Sequence, residues 1–268
     1  MSKAADEMLV RAVLSKGLAG RDVLDLPAGD GELSRKLDAA GVRVTSADLF
    51  PESCRWRPES VVRADMNERL PFADAAFDGI VSQEGVEHLE NLAGFVRECR
   101  RVLKDGGHLW ITTPNFMDLS SRLAYFLTGQ KSFHGGVVNE DSTVWGADGD
   151  RVYHGHAFSL PFFQLRYLLR VQHFADVSVA SVTESSTSRM LRPLIRPIAG
   201  PLLRRSLRRR RDLDRSHGKP HASDATLAEL ERLSLSRALL CAKSILVHAV
   251  HREGSFRPPG AAGAGASA

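Results

Sequence analysis

The sequence predicts an α/β protein with a doubly wound, mostly parallel sheet of seven strands. Short apolar runs that suit buried strands alternate with helical patterns along most of the chain. The stretch Val23–Leu33 reads as an apolar strand, a turn with two glycines and the start of a helix. A second strand, Val42–Ala47, ends in Asp48. Because the carboxyl ends of parallel strands form the ligand-binding edge of such a sheet, we expect the turn and Asp48 to lie together.

Local patterns predict the other elements in chain order. Residues 3–18 carry apolar positions at helical spacing, which predicts a helix that covers the sheet before the first strand. Asn91, Ser159 and either Ser223 or Asp224 are the expected N-caps of later helices. The predicted helices span 32–40, 91–104, 116–128, 160–169 and 224–240, and the further strands span 61–64, 77–82, 108–113, 177–182 and 244–250.

Composition limits the class of protein. The chain has 268 residues, of which 43% are hydrophobic, and its net charge is +4. Its cysteines, Cys54, Cys99 and Cys241, are odd in number and scattered, which favours a reducing, cytoplasmic compartment without disulfides. We expect neither a secretory signal at the start nor a transmembrane helix, because no apolar run is long enough.

The turn after the first strand has the pattern D-x-P-x-G-x-G, from Asp25 to Gly31. Backbone N–H groups of such a turn and a nearby carboxylate can face a nucleotide-like ligand. An acid at the end of the second strand, here Asp48, is what a ribose diol needs. The turn lacks the G-x-G-x-x-G spacing of a pyrophosphate-binding loop, and an NAD-type domain with a degenerate fingerprint remains the alternative.

This pattern resembles the first motif, D-x-G-x-G-x-G, of the class I S-adenosylmethionine (SAM) methyltransferases. The resemblance extends over residues 23–182 and includes Phe77–Val81 and Arg101–Gly107. It implies SAM as cofactor and a cofactor-binding set of Asp25, Pro27, Ala28, Gly29, Gly31, Asp48, Asp65, Met66 and Gln83. Pro27 departs from the motif, and because proline has no N–H, the loop requires that this N–H is not a ligand contact.

The same resemblance implies a domain organisation. In this family the sixth and seventh strands form a hairpin, so the residues between them are expected to be an insertion. The expected units are an N-terminal covering helix at 1–20, a SAM-binding core at 21–184, a basic helical insertion at 185–240, the final core strand at 241–252 and a disordered tail at 253–268. The long loop 129–158, which contains His134, Trp145 and Tyr153, is expected to be a lid.

The carboxyl end of the fourth strand carries the pattern E-x-x-E-H. Glu84, Glu87 and His88 share one face if they form a helical turn, and their donor atoms suit a divalent cation such as Mg²⁺. The pattern resembles ubiquinone-pathway O-methyltransferases and small-RNA 2′-O-methyltransferases. That resemblance implies a metal held against substrate hydroxyls with a later histidine. His154 and His156 are the candidates, and the spacing to the next aromatic residue favours His156.

Glu84, Glu87, His88 and His156 are therefore the candidate catalytic residues, and they are also the candidate metal ligands. A metal-free site is the alternative to a metal site. In that case Glu87 and His88 hydrogen-bond each other, or one residue acts as a general base. A third reading assigns these residues no chemistry.

Residues 189–215 contain ten arginines, including Arg208–Arg211 in a row, interleaved with apolar residues. Pro193, Pro197 and Pro201 predict that the segment is broken into short pieces. Arginines with apolar residues favour an anionic membrane surface as partner. Nucleic acid is not expected because no aromatic residue is available to stack on bases. A basic hairpin packed on the domain is the alternative.

The sequence resembles methyltransferases found with bacterial surface-polysaccharide genes, on the E-x-x-E-H segment, Thr113-Pro114-Asn115, the stretch 156–169 and the basic insertion. This implies O-methylation of a sugar hydroxyl in a surface glycan or a lipid-linked saccharide, reached at the inner membrane face. One alternative is a small-molecule O-methyltransferase that acts on a quinone or a natural product. The other is a non-catalytic module that binds a membrane or a partner, its pocket spoiled by Pro27.

Overall fold

The structure is a computed structural model that describes residues 3–130, 138–149 and 151–256. Two sequence expectations fall partly outside these residues: His134 of the lid, and residues 257–268 of the tail. The helices are α1 Lys3–Leu14, α2 Glu32–Ala39, α3 Leu92–Val102, α4 Leu119–Thr128, α5 Phe162–Val171, α6 Ser186–Ser216, α7 Asp224–Ser234 and α8 Arg237–Cys241. The strands are β1 Asp22–Asp25, β2 Arg43–Asp48, β3 Val62–Arg63, β4 Phe77–Gln83, β5 Leu103–Pro114, β6 Val144–Asp148, β7 Arg151–His154, β8 Phe174–Glu184 and β9 Ala242–His251.

Seven of these strands form one sheet in the order β3-β2-β1-β4-β5-β9-β8, which confirms the predicted mostly parallel α/β fold. The first five are parallel to one another, and β9 is antiparallel to both of its neighbours. The order reverses between β1 and β4. The carboxyl ends on either side of this switch point form the crevice in which an open α/β sheet binds ligands.

Side-chain alternation along the strands buries both faces of the sheet. Leu24 of β1 joins a core cluster that contains residues of α3 and α5. Its neighbour Val23 points to the other face and joins a cluster with Leu9 of α1 and Leu37 of α2. Helices on both faces are what the apolar, non-alternating strand sequences predict.

The prediction that Ser159 caps α5 is wrong. Helix α5 begins at Phe162, and Pro161 occupies its N-cap position with an extended backbone. The Pro161 carbonyl accepts from the N–H groups of Gln164 and Leu165, and Ser159 lies two residues before this position. The cap at Asn91 is confirmed, since its side chain accepts from the N–H of Gly94, and so is the cap at Ser223, which accepts from Thr226.

The prolines do not break the arginine segment, contrary to the sequence prediction. Residues 186–216 form one helix of 31 residues with Pro193, Pro197 and Pro201 inside it. All three prolines are exposed and four residues apart, so they follow one solvent-facing side of the helix. The carbonyls that lose an N–H partner therefore open toward water, which limits the cost of each proline.

Two further predictions need correction. The expected helix 224–240 is interrupted at Leu235, because Ser236 caps a separate short helix, α8, by accepting from the N–H of Leu239. The expected loop 129–158 contains an antiparallel hairpin, β6–β7. Over the described ranges, the chain has no helix that combines the length and apolarity needed to cross a bilayer.

Candidate active site

A cavity of about 780 Å³ lies at the carboxyl ends of β1, β2 and β4, within the usual size range of small-molecule sites. Most residues that the sequence predicts for the site line this cavity: Pro27, Gly29, Asp48, Asp65, Met66, Gln83, Glu84 and His88. The topology explains the convergence, since all of them follow parallel strands that end at one edge of the sheet.

The carboxylate of Asp48 is held at the end of β2 by two backbone groups. Its Oδ2 accepts from the N–H of Gly29 at 2.8 Å, and its Oδ1 accepts from the N–H of Phe50 at 2.8 Å. The first bond connects β2 to the turn after β1, and the second shapes the chain that leaves β2. Each oxygen retains a lone pair that can accept from a ligand hydroxyl.

The N-terminal helix reaches the wall of the cavity through Gln83. The side-chain amide of Gln83 donates to Asp6 Oδ1 at 2.9 Å, and Asp6 Oδ2 forms an ion pair with Lys36 at 2.7 Å. Asp6, in α1, is buried although it is charged. Paired and hydrogen-bonded in this way, a buried carboxylate joins α1, α2 and β4 behind the cavity.

Asp25 does not line the cavity. Its Oδ2 accepts a 2.5 Å hydrogen bond from Ser34 of α2, and the residue is completely buried. Burial raises the pKa of the Asp25 carboxyl to about 7, and the charges of Asp48 and Asp6 act in the same direction. The side chain therefore connects the turn to α2 from behind.

The two other turn residues outside the cavity lining have local structural roles. Ala28 donates its N–H to the carbonyl of Ala47 at 2.9 Å. Gly31 has φ +81°, and a Cβ there would lie 2.6 Å from Cys54 Sγ, so glycine is required by conformation and by packing.

Pro27 leaves the turn intact. The hydrogen bonds that close the turn use the N–H groups of Ala28 and Gly29, so a missing donor at Pro27 costs none of them. The proline ring packs closely on Gly85, where an added Cβ would lie 2.5 Å from Pro27 Cδ. Pro27 therefore forms part of the cavity wall and packs against the E-x-x-E-H segment at Gly85.

The cavity wall is strongly acidic. Among the described residues that line it are the carboxylates of Asp48, Asp65, Glu68, Glu84 and Glu90, and none of those residues is Lys or Arg. Such a wall attracts a ligand of net positive charge and repels phosphate groups. The charge pattern therefore disfavours the pyrophosphate of a dinucleotide.

The expected helical turn over the E-x-x-E-H segment is not formed. Glu84 has φ +50°, and only Val86–His88 adopt a short 3-10 turn. Glu84 is therefore not aligned with Glu87 and His88 on one helix face. Its carboxylate instead accepts from the hydroxyl of Ser244, on β9, at 3.1 Å.

Glu87 is buried beneath the cavity floor. Its Oε2 accepts from the Thr113 hydroxyl at 3.3 Å, while its Oε1 has no hydrogen-bond partner in the described part of the chain. Burial, followed by the charge of nearby Glu84, raises the pKa of Glu87 to about 8. This carboxyl is thus a protonated acid at neutral pH unless a cation compensates its charge.

His88 has a defined tautomer. Its Nδ1 lies 3.0 Å from the backbone carbonyl oxygen of His154. A carbonyl oxygen only accepts, so Nδ1 carries the proton and Nε2 of the neutral ring keeps a lone pair. The ring of Trp145 lies 4.4 Å and that of His156 lies 4.9 Å from the His88 ring, centre to centre.

The two candidate histidines of the lid occupy different places. Donor atoms of Glu87, His88 and His156 all lie within 4.8 Å of one another, so the structure brings together three of the four predicted metal ligands. Glu84 is outside that group. His154 lines the cavity instead, where its Nε2 contacts Glu90 Oε1 at 2.9 Å.

The β6–β7 hairpin contributes contacts that the sequence did not predict. Tyr153 of β7 meets Phe50 edge-to-face at 5.2 Å, which joins the hairpin to the segment after β2. Phe50, Glu90 and Ser244 were all missed. Phe50 and Glu90 each follow a predicted site residue by two positions, and that proximity was an available signal. Ser244 had no local signal, because its contact with Glu84 spans 160 residues.

Comparisons with known proteins find methyltransferases. A family model described as a methyltransferase domain matches residues 24–111. The mitochondrial ubiquinone biosynthesis O-methyltransferase of Rattus norvegicus is 32% identical over 142 residues, which are 48% of this chain and 40% of the rat protein. The ubiquinone biosynthesis O-methyltransferase of Xanthomonas oryzae pv. oryzae is 34% identical over 107 residues, 37% of this chain and 45% of that protein. The chain thus spans less than half the length of these curated relatives.

Solved structures share the fold. A SAM-dependent methyltransferase from Archaeoglobus fulgidus superposes with a TM-score of 0.51 at 17% identity, over 91% of this chain and 94% of the other. One from Mesorhizobium loti superposes with a TM-score of 0.50 at 17% identity, over 93% of this chain and 99% of the other. At this level of identity the likeness concerns the fold.

Proposed function

We propose that this chain, which belongs to the class I SAM-dependent methyltransferase family, is an enzyme that methylates a hydroxyl oxygen of its acceptor. The observation that carries the proposal is His88, which lines the cavity and whose Nδ1 bonds the His154 carbonyl, while its Nε2 forms no hydrogen bond within the described part of the chain. A neutral imidazole with a free Nε2 is suited to accept the proton of a hydroxyl.

SAM supplies a methyl group that its sulfonium already activates, so the chain has to bind, align and deprotonate. Asp48 would accept from the ribose hydroxyls, and Asp65 with Met66 would hold the adenine. Pro27, Gly29 and Gln83 complete the lining, while Asp25, Ala28 and Gly31 would hold the turn in shape. The acidic wall supports a cationic ligand of this kind.

The acceptor hydroxyl would lie between the cofactor and His88. Glu84, whose carboxylate accepts from the Ser244 hydroxyl, would orient the acceptor hydroxyl, and His156 lies next to His88. Holding the reacting atoms in line is a large part of what an enzyme contributes to such a transfer. The proton of the hydroxyl would pass to His88 Nε2.

For the acceptor we propose a sugar hydroxyl in a surface glycan or in a lipid-linked saccharide. The chain would reach the lipid-linked form at the inner face of the membrane. Trp145 supports a ring-shaped acceptor, because its side chain is 67% exposed although it lies beside His88. The C–H face of a sugar ring is apolar and packs on indole. A phenolic hydroxyl of a quinone precursor is the second candidate, favoured by the names of the rat and Xanthomonas relatives.

The test begins with calorimetric titration of SAM into the full chain. A panel of sugar, lipid-linked saccharide and phenolic acceptors follows, with methyl-labelled SAM and detection of the labelled product. Transfer to sugar hydroxyls supports the proposal, and transfer only to phenols selects the second candidate. Absence of SAM binding would overturn the enzyme assignment and leave a non-catalytic module.

A divalent cation is a second possibility for activating the hydroxyl. The donor set fits one, because a carboxylate oxygen of the buried Glu87 lies with donors of His88 and His156, and Glu87 Oε1 has no hydrogen-bond partner among the described residues. These three residues would hold it, and a cation such as Mg²⁺ would lower the pKa of a bound hydroxyl. If His88 acts alone as the base, exhaustive chelation leaves transfer unchanged. Loss of transfer on chelation, with SAM still bound and activity restored by Mg²⁺ or Mn²⁺, would assign the role to the cation.

A further inference from the structure

We propose that α6, with the neighbouring α4, forms a docking surface for an anionic phospholipid bilayer and holds the mouth of the cavity toward that bilayer. The proposal that this surface binds a bilayer rests on the exposed residues of α6 and α4. Its link to the acceptor rests on the proposed function.

The first half of α6 presents an apolar ridge to solvent. Met190, Leu194, Ile198 and Leu202 recur at intervals of four residues, and each is between 62% and 75% exposed. Residues four apart are neighbours along a helix, so these side chains form one continuous row. Water-exposed apolar rows of this length are typical of interaction surfaces.

The second half of α6 presents arginines on the same side. At 3.6 residues per turn, Arg205, Arg208 and Arg209 fall with the apolar ridge into about one third of the helix circumference. The face is therefore apolar toward the start of the helix and basic toward its end. An apolar group can enter the acyl boundary while guanidinium groups contact the lipid phosphates of the same monolayer.

These arginines are available for a partner. Elsewhere on α6, Arg204 pairs with Glu231 and Arg211 pairs with Asp212. In contrast, no carboxylate of the described chain lies within ion-pair distance of Arg205, Arg208 or Arg209, all three of which are exposed. The helix carries ten arginines and two aspartates, while the whole chain has a net charge of only +4. The positive charge is thus concentrated on this helix.

Helix α4 adds apolar surface beside the start of α6. The Ser188 hydroxyl donates to Asp118, the N-cap of α4, at 2.6 Å, which holds the starts of the two helices together. On α4, Phe126 is 84% exposed, and Tyr125 and Leu127 are exposed as well. Aromatic side chains are favoured at membrane interfaces because they combine an apolar body with a polarisable or polar edge.

The sheet places this surface at the edge that carries the site. Strand β8 runs parallel to β5, and the register pairs Ser244 with both Pro114 and Thr183. Ser244 is also the residue whose hydroxyl bonds Glu84. Helix α6 begins three residues after Thr183, so two strands, β5 and β9, separate its start from the E-x-x-E-H segment after β4. A bilayer on this surface would present a lipid-linked acceptor to the same edge.

Charge complementarity selects the occupant. The cavity itself is acidic, so phosphate groups of a lipid-linked acceptor are repelled from it and attracted to α6. Nucleic acid would satisfy the arginines but would leave the aliphatic ridge in water, and α6 has no aromatic residue to stack on bases. An anionic bilayer satisfies the arginines and the ridge together.

The experiment measures co-sedimentation of the full chain with vesicles of phosphatidylcholine alone and with vesicles that also contain phosphatidylglycerol. We expect binding to the anionic vesicles that weakens with added salt. The triple variant Arg205→Ser, Arg208→Ser, Arg209→Ser should bind them on the order of 100-fold more weakly. A second variant, Met190→Ser, Leu194→Ser, Ile198→Ser, should lose the binding that remains at high salt.

The matched control removes the same charge elsewhere, with Arg21→Ser, Arg55→Ser and Arg97→Ser, three exposed arginines outside α6. Equal binding to neutral and anionic vesicles, or an equal loss in the control, would overturn the docking surface. So would binding to DNA or self-association in place of vesicle binding. Calorimetric SAM binding separates the two proposals. A protein that binds SAM but not the vesicles rejects the docking surface alone. A protein that binds the vesicles but not SAM rejects the enzyme assignment alone.

Discussion

The Nδ1 atom of His88 lies 3.0 Å from the backbone carbonyl oxygen of His154, 66 residues later in the chain. The bond joins the short turn after β4 to the lid hairpin and sets the tautomer of the imidazole. Because the acceptor is a backbone atom, the arrangement depends on the position of the lid and not on the side chain at residue 154. The proton on His88 Nδ1 therefore depends on where the β6–β7 hairpin places the His154 carbonyl.

Substitution of His88 tests the base. In His88→Asn an amide replaces the ring and can still donate to the lid, but it is far too weak a base to take a proton. We expect methyl transfer to fall about 10²- to 10⁴-fold while SAM affinity changes little. The measurements are turnover with labelled SAM and calorimetric SAM binding. His217→Asn, an exposed histidine after α6, is the control, and wild-type turnover in His88→Asn would reject the base.

Substitution of Asp48 tests the cofactor site. Asp48→Asn keeps the size of the side chain but removes the charge that would accept from the ribose. We expect SAM to bind roughly 10- to 100-fold more weakly, because a hydrogen bond to a charged group contributes about 1.5–3 kcal/mol. Calorimetry gives the affinity. The Asn amide has a single acceptor oxygen and can keep only one of the bonds to Gly29 and Phe50, so a thermal melt measures the stability that is lost with the other. The control is Asp30→Asn, in the same turn but outside the cavity lining, which should retain the wild-type affinity for SAM. An unchanged SAM affinity in Asp48→Asn would argue against ribose binding at β2.

Substitution of Trp145 tests the acceptor wall. The ring lies 4.4 Å from that of His88, and Trp145→Ala removes the surface on which a ring-shaped acceptor would pack. We expect the KM for the acceptor to rise several-fold to about tenfold, since an aromatic contact contributes about 0.5–1.5 kcal/mol. Steady-state kinetics with varied acceptor measure this. Tyr167→Ala on α5, a residue of similar exposure, should leave the KM unchanged. A wild-type KM in Trp145→Ala would place the acceptor elsewhere.

Acid stability tests the histidine pair between β5 and β9. His248 Nε2 lies 3.0 Å from His108 Nδ1, and burial, followed by the charge of His108, lowers the pKa of His248 to about 4. An unfolded histidine titrates near 6.5, so between these values the unfolded chain binds a proton that the folded chain does not. The contribution of the neutral His248 to the free energy of unfolding is complete above about pH 6.5 and is lost as the pH falls toward 4. Its slope is at most about 1.4 kcal/mol per pH unit.

His248→Gln should therefore show a shallower loss of unfolding free energy than the wild type between about pH 6.5 and about pH 5. Urea unfolding at several pH values measures the difference. His217→Gln, which removes an exposed histidine, should follow the wild type. Identical slopes in His248→Gln and the wild type would show that the pair does not resist protonation in the folded state.

Much of the fold could be predicted because it follows from local pattern. Apolar runs such as Phe77–Val81 predict buried strands, and Asn91 and Ser223 predict helix starts because a side-chain oxygen there satisfies a free N–H. Boundaries inside the arginine segment could not be predicted in this way. A proline leaves the carbonyl one turn earlier without its N–H partner. Whether the helix continues depends on whether that carbonyl can reach water, which is decided by the side of the helix on which the proline lies.

For the site, the sequence by itself determined which groups would meet at the carboxyl edge. Asp48 and Gln83 each end a parallel strand and His88 lies shortly after one, and the geometry of such a sheet brings strand ends together whatever the loops do. The tertiary structure decided what each group can do there. The tautomer of His88 depends on a carbonyl in the lid, and Glu84 is oriented by Ser244 through the pairing of β9 with β5. These contacts join residues far apart in the chain, and no local pattern encodes them, because they arise only when the lid and the last strand pack against the sheet.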